Sequence, residues 1–298
     1  MTKGRAYNPS QVIFAATSEC NLNCRHCFIK RTDKKLSIDD AKKFLNANKE
    51  HLEKIGFSGG EPFLYPEFLY EISKETVRLD LLFDQINTNG DWWKTEGDLR
   101  TTLLKLYDSG YDGKISLSCD SFHSQHMNRI IIFIQAVQSI FGKGSLNIQC
   151  VLKENEEEKT PIKLFTIEEN FPEIKIHLLH QSFSSDNKDA WKSAKWFKDD
   201  FCEGPGHIFY VHPDGKIAPC CGFANENDAL IIGTINDDYD TLMENARQNI
   251  IIKMCYEKGL KKSLPEIKQA IKKAGQKLPG RTKDICTFCD YICKNYIP

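Results

Sequence analysis

The sequence has almost no net charge, no long apolar run and no apolar segment at its first residues. Its 40 Lys and Arg residues balance 41 Asp and Glu residues, which leaves a formal charge of −1 at pH 7. Proteins that bind nucleic acid usually carry a basic surface, so this balance counts against a nucleic-acid partner. No run of about 18 apolar residues could span a membrane. The opening residues MTKGRAYNPS also lack the apolar core of a signal peptide.

The sequence is rich in cysteine, with 12 among 298 residues. Exported proteins use such residues for disulfides, whereas cysteines in a reducing cytosol more often bind metal or carry out redox chemistry. Because no export signal is found, we expect a cytoplasmic protein whose cysteines serve metal or redox chemistry.

Three of these cysteines lie close together near the N-terminus. Cys20, Cys24 and Cys27 have C-x3-C-x2-C spacing in the run CNLNCRHC. Thiolates bind soft metals, and four of them would complete a zinc site or an iron–sulfur cube. A cube with only three cysteines keeps one iron open to a ligand from outside the protein. The alternative is a structural zinc site that takes a remote fourth ligand.

A second motif, Gly59-Gly60-Glu61-Pro62, follows the apolar stretch 54–58. Two glycines at the end of a strand let the backbone approach a ligand closely. Glu61 offers an acceptor for an ammonium group. By itself the motif could be an ordinary turn.

The cysteine triplet followed by GGEP resembles the radical SAM superfamily. The resemblance implies a [4Fe–4S] cluster held by Cys20, Cys24 and Cys27, with S-adenosylmethionine (SAM) bound to the open iron near GGEP. It also implies an enzyme that reductively cleaves SAM to a 5′-deoxyadenosyl radical, which takes a hydrogen atom from a substrate. An external electron donor of the flavodoxin or ferredoxin type would reduce the cluster.

Short β-rich runs alternate with helical patterns up to about residue 200. Candidate strands lie at 12–17, 55–57, 83–87, 114–118, 147–152 and 174–179. This alternation predicts an α/β fold with parallel strands in a buried sheet. Six units are fewer than the eight of a complete barrel. The resemblance likewise implies a partial (β/α)6 TIM barrel, which we assign to residues 8–198.

Polar residues follow the third and fourth predicted strands, where α/β barrels carry their active sites. The resemblance implies that Ser118 and Asp120 contact the ribose and carboxylate of SAM, and Asn89 is a further candidate for the SAM site. Asp120 could instead cap a helix predicted over 121–141, together with Ser121. Asn89 could simply form a turn with Gly90.

His26 departs from the family pattern. The residue before the third cysteine is usually aromatic and packs near the adenine of SAM. The flat imidazole of His26 could take that place, or it could face solvent.

A second cysteine set begins where the helix–strand alternation ends. Cys202 and Cys220 flank a predicted hairpin over 208–218, and three more cysteines lie near the C-terminus. This layout resembles the single-cluster twitch form of the SPASM/twitch extension, a small α+β domain that we assign to residues 199–298. By that resemblance one auxiliary [4Fe–4S] cluster is held by Cys202, Cys220, Cys286 and Cys289, with Cys293 a substitute ligand or a nearby thiol. The same two pairs could make a zinc ribbon.

Cys221 follows a predicted cluster ligand directly. Neighbouring side chains of an extended segment point to opposite faces, so Cys221 is predicted to point away from the auxiliary cluster. It is our first candidate to give a hydrogen atom to a substrate radical, and Cys255 is the second. The alternative is that neither thiol is catalytic.

The fate of the substrate radical separates two classes of enzyme. A thiol that returns a hydrogen atom from the opposite face inverts the carbon, whereas a cluster that accepts an electron gives an oxidised product. One implied auxiliary cluster with a thiol beside it favours an epimerase. Radical SAM epimerases that act on ribosomal peptides or on aminoglycosides resemble this chain in size and cysteine layout.

We therefore expect a ribosomal precursor peptide as substrate, and no nucleic-acid or membrane partner. The alternative enzyme is an oxidative twitch protein that forms thioether or carbon–carbon cross-links in a peptide, or acts on an aminoglycoside-type small molecule. The non-enzyme alternative is an iron–sulfur redox sensor. The intact GGEP argues against a sensor, because a structural cluster needs no ammonium acceptor.

Overall fold

The computed structural model describes residues 6–152, 162–198, 201–202 and 207–295. The chain forms two compact units. The core unit comprises residues 13–181 and 212–215, and the C-terminal unit comprises residues 1–12, 182–211 and 216–298. The domain boundary predicted after residue 198 falls beside residues 199–200, which lie outside the described ranges, and it stays a prediction.

A parallel sheet forms the centre of the core unit. Its strands are β1 Gln11–Ala15, β2 Lys54–Ser58, β3 Leu82–Thr88, β4 Lys114–Ser118, β5 Leu146–Leu152 and β6 Lys175–His180. They lie in the order β6-β5-β4-β3-β2-β1, and each pairing from β2 to β6 is parallel. The predicted α/β fold of a partial barrel is confirmed, with each strand close to its predicted position.

Helices connect successive strands of this sheet. They are α1 Ile38–Asn48, α2 Pro66–Arg78, α3 Glu96–Asp108, α4 Met127–Phe141 and α5 Ile162–Asn170. Ser37 caps α1, because its Oγ accepts a hydrogen bond from the Asp40 amide at 3.2 Å. The helix predicted from residue 121 begins only at Met127. Asp120 therefore does not cap it.

The core of this unit lies between the sheet and its helices. Phe14 on β1 packs edge-on against Phe44 of α1 and Phe68 of α2, with ring centroids 6.4 and 5.8 Å apart. All three rings are at most 1% exposed. Each fully buried ring of this kind contributes about 1.5–3 kcal/mol. This packing fixes the strands, and with them the loops at their carboxyl ends.

The C-terminal unit combines a small antiparallel sheet with helices. Its elements are β7 Ile208–Val211, β8 Lys216–Ala218, β9 Gly233–Thr234, α6 Tyr239–Gln248, α7 Ile250–Lys253, α8 Leu260–Lys273 and α9 Ile285–Asn295. The predicted hairpin is confirmed, since β7 pairs with β8 and β8 with β9, both antiparallel. A π-helical turn, Met254–Lys258, carries Cys255. Among the helices described here, none combines the length and apolarity needed to cross a membrane.

Candidate cofactor site and second cysteine cluster

A pocket lies in the core unit at the carboxyl ends of its strands. Its walls come from the long loop after β1 and from the segments that follow β2, β3 and β4. The predicted site residues that it brings together are Cys20, Cys24, His26, Cys27, Gly59, Gly60, Asn89 and Ser118. Parallel strands end at one edge of a sheet, which explains why residues so far apart in sequence meet here.

Gly59 and Gly60 pack against the backbone of the cysteine loop. The Gly60 amide donates to the Thr17 carbonyl at 2.7 Å, and the Glu61 amide donates to the Glu19 carbonyl at 2.8 Å. A Cβ at Gly60 would lie 2.1 Å from the Glu19 oxygen. Gly59 has φ +136°, a conformation that favours glycine. The glycine pair thus holds the cysteine loop against the end of β2, a role that the sequence reasoning missed.

Glu61 is completely buried. Its carboxylate accepts hydrogen bonds from the Thr88 hydroxyl at 2.8 Å and from the amides of Asn89 and Phe63 at 2.7 and 3.2 Å. Burial raises the pKa of Glu61 to about 7, although these hydrogen bonds oppose the shift. The neighbouring Pro62 is buried too. The carboxylate joins the ends of β2 and β3. Its predicted contact with the ammonium group of SAM stays a prediction.

Asn89 connects the end of β3 to the cysteine loop. Its Nδ2 donates to Asn21 Oδ1 at 2.9 Å and lies 3.7 Å from Cys20 Sγ, within range of a hydrogen bond to sulfur. Its Oδ1 accepts from the Asp91 amide at 2.8 Å. This amide therefore orients Cys20 as well as forming the turn that its sequence predicted.

Asp120 faces the protein rather than the pocket. It is 1% exposed, and its Oδ1 accepts from the Phe122 amide at 2.8 Å, the His123 amide at 3.1 Å and His123 Nδ1 at 2.8 Å. Its Oδ2 accepts from the Val151 amide at 3.3 Å. Burial opposes the charge, but the His123 contacts hold the pKa of Asp120 below its usual value. Its predicted contact with SAM stays a prediction.

His123 lines the pocket, and the sequence reasoning did not select it. Burial lowers the pKa of its imidazole, but hydrogen bonds to Asp120 and to the Cys24 thiol outweigh burial and raise it to about 9. His26 packs against Phe122 and His123, with ring centroids 4.5 and 5.2 Å away. The available signal was an Asp-x-x-His spacing directly after a strand end.

The second cysteine set lies in the C-terminal unit, where Cys255 and Cys289 are buried and the other cysteines are half-buried. Cys255 and Cys289 have sulfurs 3.7 Å apart, and the Cys202 amide donates to the Cys255 carbonyl at 2.8 Å. Hydrogen bonds from Cys255 and Cys293 hold the pKa of Cys289 well below its usual value. Burial raises the pKa of Cys220, and the nearby Cys289 and Cys202 add to this effect.

The two other cysteines of this unit are Cys286 and Cys221. A Cβ added at Gly222, the residue that follows Cys221, would lie 3.3 Å from Cys286 Sγ. Burial and the charge of Asp284 raise the pKa of Cys286. Cys221 is half-buried, whereas Cys255 is only 5% exposed.

Aromatic and polar contacts enclose this cysteine set. Tyr7 packs on Tyr256 with ring centroids 5.2 Å apart, and the Tyr256 hydroxyl donates to the Pro219 carbonyl at 2.8 Å. Asp290 on α9 accepts from the Ser185 amide and hydroxyl at 2.9 and 2.6 Å and from Asn227 Nδ2 at 2.9 Å. Helix α9, which carries three of the cysteines, is thereby fixed.

The arrangement of thiols fits iron–sulfur clusters better than compact zinc sites. With Zn–S bonds of about 2.3 Å, four tetrahedral sulfurs lie about 3.8 Å from one another. Among the described residues, no three cysteine sulfurs lie within 4.8 Å of one another. Three thiols in one pocket suit a cube with an open iron.

Comparison with known proteins places the core unit in a family. Residues 15–149 match the family model of the Radical SAM superfamily. The S-adenosylmethionine-dependent nucleotide dehydratase RSAD2 of Siniperca chuatsi is 34% identical over 128 residues, which are 39% of this chain and 32% of that protein. The chain thus spans about a third of the length of this curated relative.

Two longer matches cover most of the chain. YydG of Bacillus subtilis (strain 168), whose name assigns it to peptide biosynthesis, is 22% identical over 292 residues, or 91% of this chain and 88% of YydG. The structure of native anSMEcpe with bound AdoMet and Cp18Cys peptide superposes with a TM-score of 0.56 at 16% identity, covering 96% of this chain and 95% of that one. The second match shows likeness of fold alone.

The predicted resemblance is therefore confirmed for the core unit, where the cysteine triplet and GGEP both lie within the matched residues. Residues 15–149 form a radical SAM domain, a family that uses SAM and a [4Fe–4S] cluster.

Proposed function

We propose that this chain is a radical SAM enzyme that epimerises residues of a ribosomally made peptide, with a cysteine thiol as the hydrogen-atom donor. One observation carries the proposal: the three clustered thiols share a pocket with Gly59, Gly60 and Asn89 inside a radical SAM domain. The likeness to YydG over 91% of the chain supports a peptide as the substrate.

In this proposal the core unit holds the first cluster and SAM. Cys20, Cys24 and Cys27 bind the cluster, and GGEP, Asn89, Ser118, Asp120 and His26 form or support the SAM site. Bound there, the cluster and SAM supply an electron-driven cleavage of SAM and removal of a hydrogen atom from the substrate. The chain's residues contribute orientation: Asn89 positions the Cys20 sulfur, and the Glu61 carboxylate ties together two strand ends.

The C-terminal unit holds the auxiliary [4Fe–4S] cluster in this proposal. Its ligands are Cys202, Cys220, Cys286 and Cys289, with Cys293 next to Cys289. The buried aromatic surroundings support a role in electron transfer, because they keep water from the cluster. An external donor of the flavodoxin or ferredoxin type supplies electrons, and the reducing cytoplasm keeps both cysteine sets as thiols.

The hydrogen-atom donor is Cys221 in this proposal. Its S–H bond breaks as a C–H bond forms on the substrate carbon, and an electron and a proton then restore the thiol. Burial supports Cys221 over Cys255, because Cys255 is 5% exposed and its sulfur contacts Cys289.

Replacement of Cys221 tests the proposal directly. We expect Cys221→Ala, incubated in D2O with SAM, a reductant and a short peptide encoded beside the gene, to make 5′-deoxyadenosine. The variant should lose both the inverted residue and its solvent deuterium. Cys150→Ala, which changes a buried thiol within β5, is the matched control and should keep both. An oxidised or cross-linked product that Cys221→Ala still forms would instead identify the oxidative twitch enzyme.

A further inference from the structure

His123 lies beside a cysteine of the first cluster site, although none of the roles above uses it. The side chain lines the same pocket as Cys24, and the Cys24 thiol is one of the two partners, with Asp120, that raise the pKa of its imidazole. It comes from the turn between β4 and α4, outside the cysteine loop. Its ring is fixed in place rather than displayed to solvent, since the side chain is only 12% exposed.

Asp120 determines how this ring is oriented. The buried carboxylate accepts from His123 Nδ1 at 2.8 Å and from the His123 amide at 3.1 Å. Lys163 also contacts His123, since its Nζ donates a hydrogen bond to the His123 carbonyl at 3.0 Å. With Nδ1 engaged by Asp120, Nε2 is the ring nitrogen left for Cys24.

The same residues could be read as a metal site, because ligand atoms of His26, Asp120 and His123 lie within 4.8 Å of one another. The hydrogen bonds argue against a site in which all three residues are ligands. Asp120 Oδ1 already accepts three of them, one of which comes from His123 Nδ1. The arrangement is that of a carboxylate that orients an imidazole toward a third group.

A cluster-bound cysteine carries no proton on sulfur. A hydrogen bond between His123 and such a thiolate must therefore use a proton on Nε2, while Nδ1–H remains with Asp120. A donor of this kind stabilises negative charge on the cluster, and reduction adds one negative charge. Hydrogen bonds to cluster sulfurs are among the factors that set reduction potential.

We propose that His123, oriented by Asp120, donates a hydrogen bond from Nε2 to the Cys24 sulfur and raises the reduction potential of the cluster at Cys20, Cys24 and Cys27. This rests on the proposed function, in which Cys24 binds iron. His123 is thus a positioning residue that makes the first electron easier to accept from the external donor.

The test is a redox titration of the anaerobically reconstituted full chain without SAM, followed by electron paramagnetic resonance. The signal that changes when SAM is then added belongs to the first cluster. His123→Leu removes the donor and should disfavour reduction about tenfold, a negative shift of about 59 mV for one electron. His123→Gln retains a neutral donor and should recover part of the shift. Asp120→Asn should also shift the midpoint to a more negative potential.

His126→Leu is the matched control, because His126 is an exposed histidine of the same turn whose side chain makes no capping bond to α4. Its midpoint should equal that of the unchanged protein. An unchanged midpoint in His123→Leu with full iron content would overturn the proposal. The proposal would also be overturned if His123→Leu lost the cluster while Asp120→Asn kept the cluster with an unchanged midpoint. A wild-type protein that takes up no iron would refute the proposed function itself.

Discussion

The sulfurs of Cys255 and Cys289 lie 3.7 Å apart in the C-terminal unit. This is a hydrogen-bond distance between two thiols. Terminal ligands on different irons of one cube point to the corners of a tetrahedron and stand further apart. We therefore expect only one member of the pair to bind the cluster. We propose Cys289, because its thiol also interacts with Cys293 and its pKa is held well below its usual value.

Iron content should separate these two cysteines. We expect Cys289→Ala to lose the auxiliary cluster, so that iron falls from about eight to about four per chain. Cys255→Ala should keep about eight irons and also keep deuterium incorporation into the product. Both values come from iron and sulfide analysis of anaerobically reconstituted protein. Equal loss of iron from the two variants would contradict this assignment.

Gly60 should tolerate no side chain. Gly60→Ala places a Cβ 2.1 Å from the Glu19 carbonyl, so the cysteine loop must move away from the end of β2. We expect the first cluster to be lost while the auxiliary cluster stays, measured as a fall of about half in bound iron. Gly97→Ala is the matched control, since its added Cβ meets only Thr95 Oγ1 at 3.6 Å. Full iron content in Gly60→Ala would contradict the close packing.

Glu61 should make folding stability depend on pH. Its folded pKa, about 7, lies above the ordinary value of 4.5, so the stability linked to its protonation is complete below pH 4.5. That contribution is lost as pH rises through 7, and it amounts to about 3 kcal/mol. In urea unfolding, the free energy of unfolding should therefore fall more between pH 4.5 and pH 8 in the unchanged protein than in Glu61→Gln. An equal fall in the free energy of unfolding of the two proteins would contradict the buried position of this carboxyl group.

Asp290 should stabilise the C-terminal unit through its fixed hydrogen bonds. Asp290→Ala leaves the buried Ser185 amide without its acceptor, which costs about 1–3 kcal/mol in the free energy of unfolding. Asp189→Ala removes an exposed carboxylate paired with Lys192 and should cost less than about 1 kcal/mol. Urea denaturation of both variants measures the difference. Equal costs would mean that Asp290 does not anchor α9.

Sequence periodicity and motif spacing predicted the strands and the grouping of the three N-terminal cysteines with the glycine pair. Each of these depends on local preference or on the rule that parallel strands end together. The direction of individual side chains was not predictable in this way. Glu61 and Asp120 are buried and accept hydrogen bonds from neighbouring loops, which the pattern did not reveal, and their contacts with SAM stay predictions.

The position of His123 was hidden for a related reason. The segment 121–126 was predicted to begin the helix that in the structure starts at Met127. The Asp120 carboxylate instead accepts hydrogen bonds from the amides of Phe122 and His123, and α4 begins only at Met127. Contacts of this kind depend on tertiary structure, so a pattern of residue types does not contain them.

The most direct test of the account uses the whole chain, reconstituted with iron and sulfide under anaerobic conditions, reduced and supplied with SAM. The account predicts 5′-deoxyadenosine and methionine in equal amounts, and no 5′-deoxyadenosine from a Cys24→Ala variant. Protein that carries tetrahedral zinc at the first three cysteines and leaves SAM intact would contradict it.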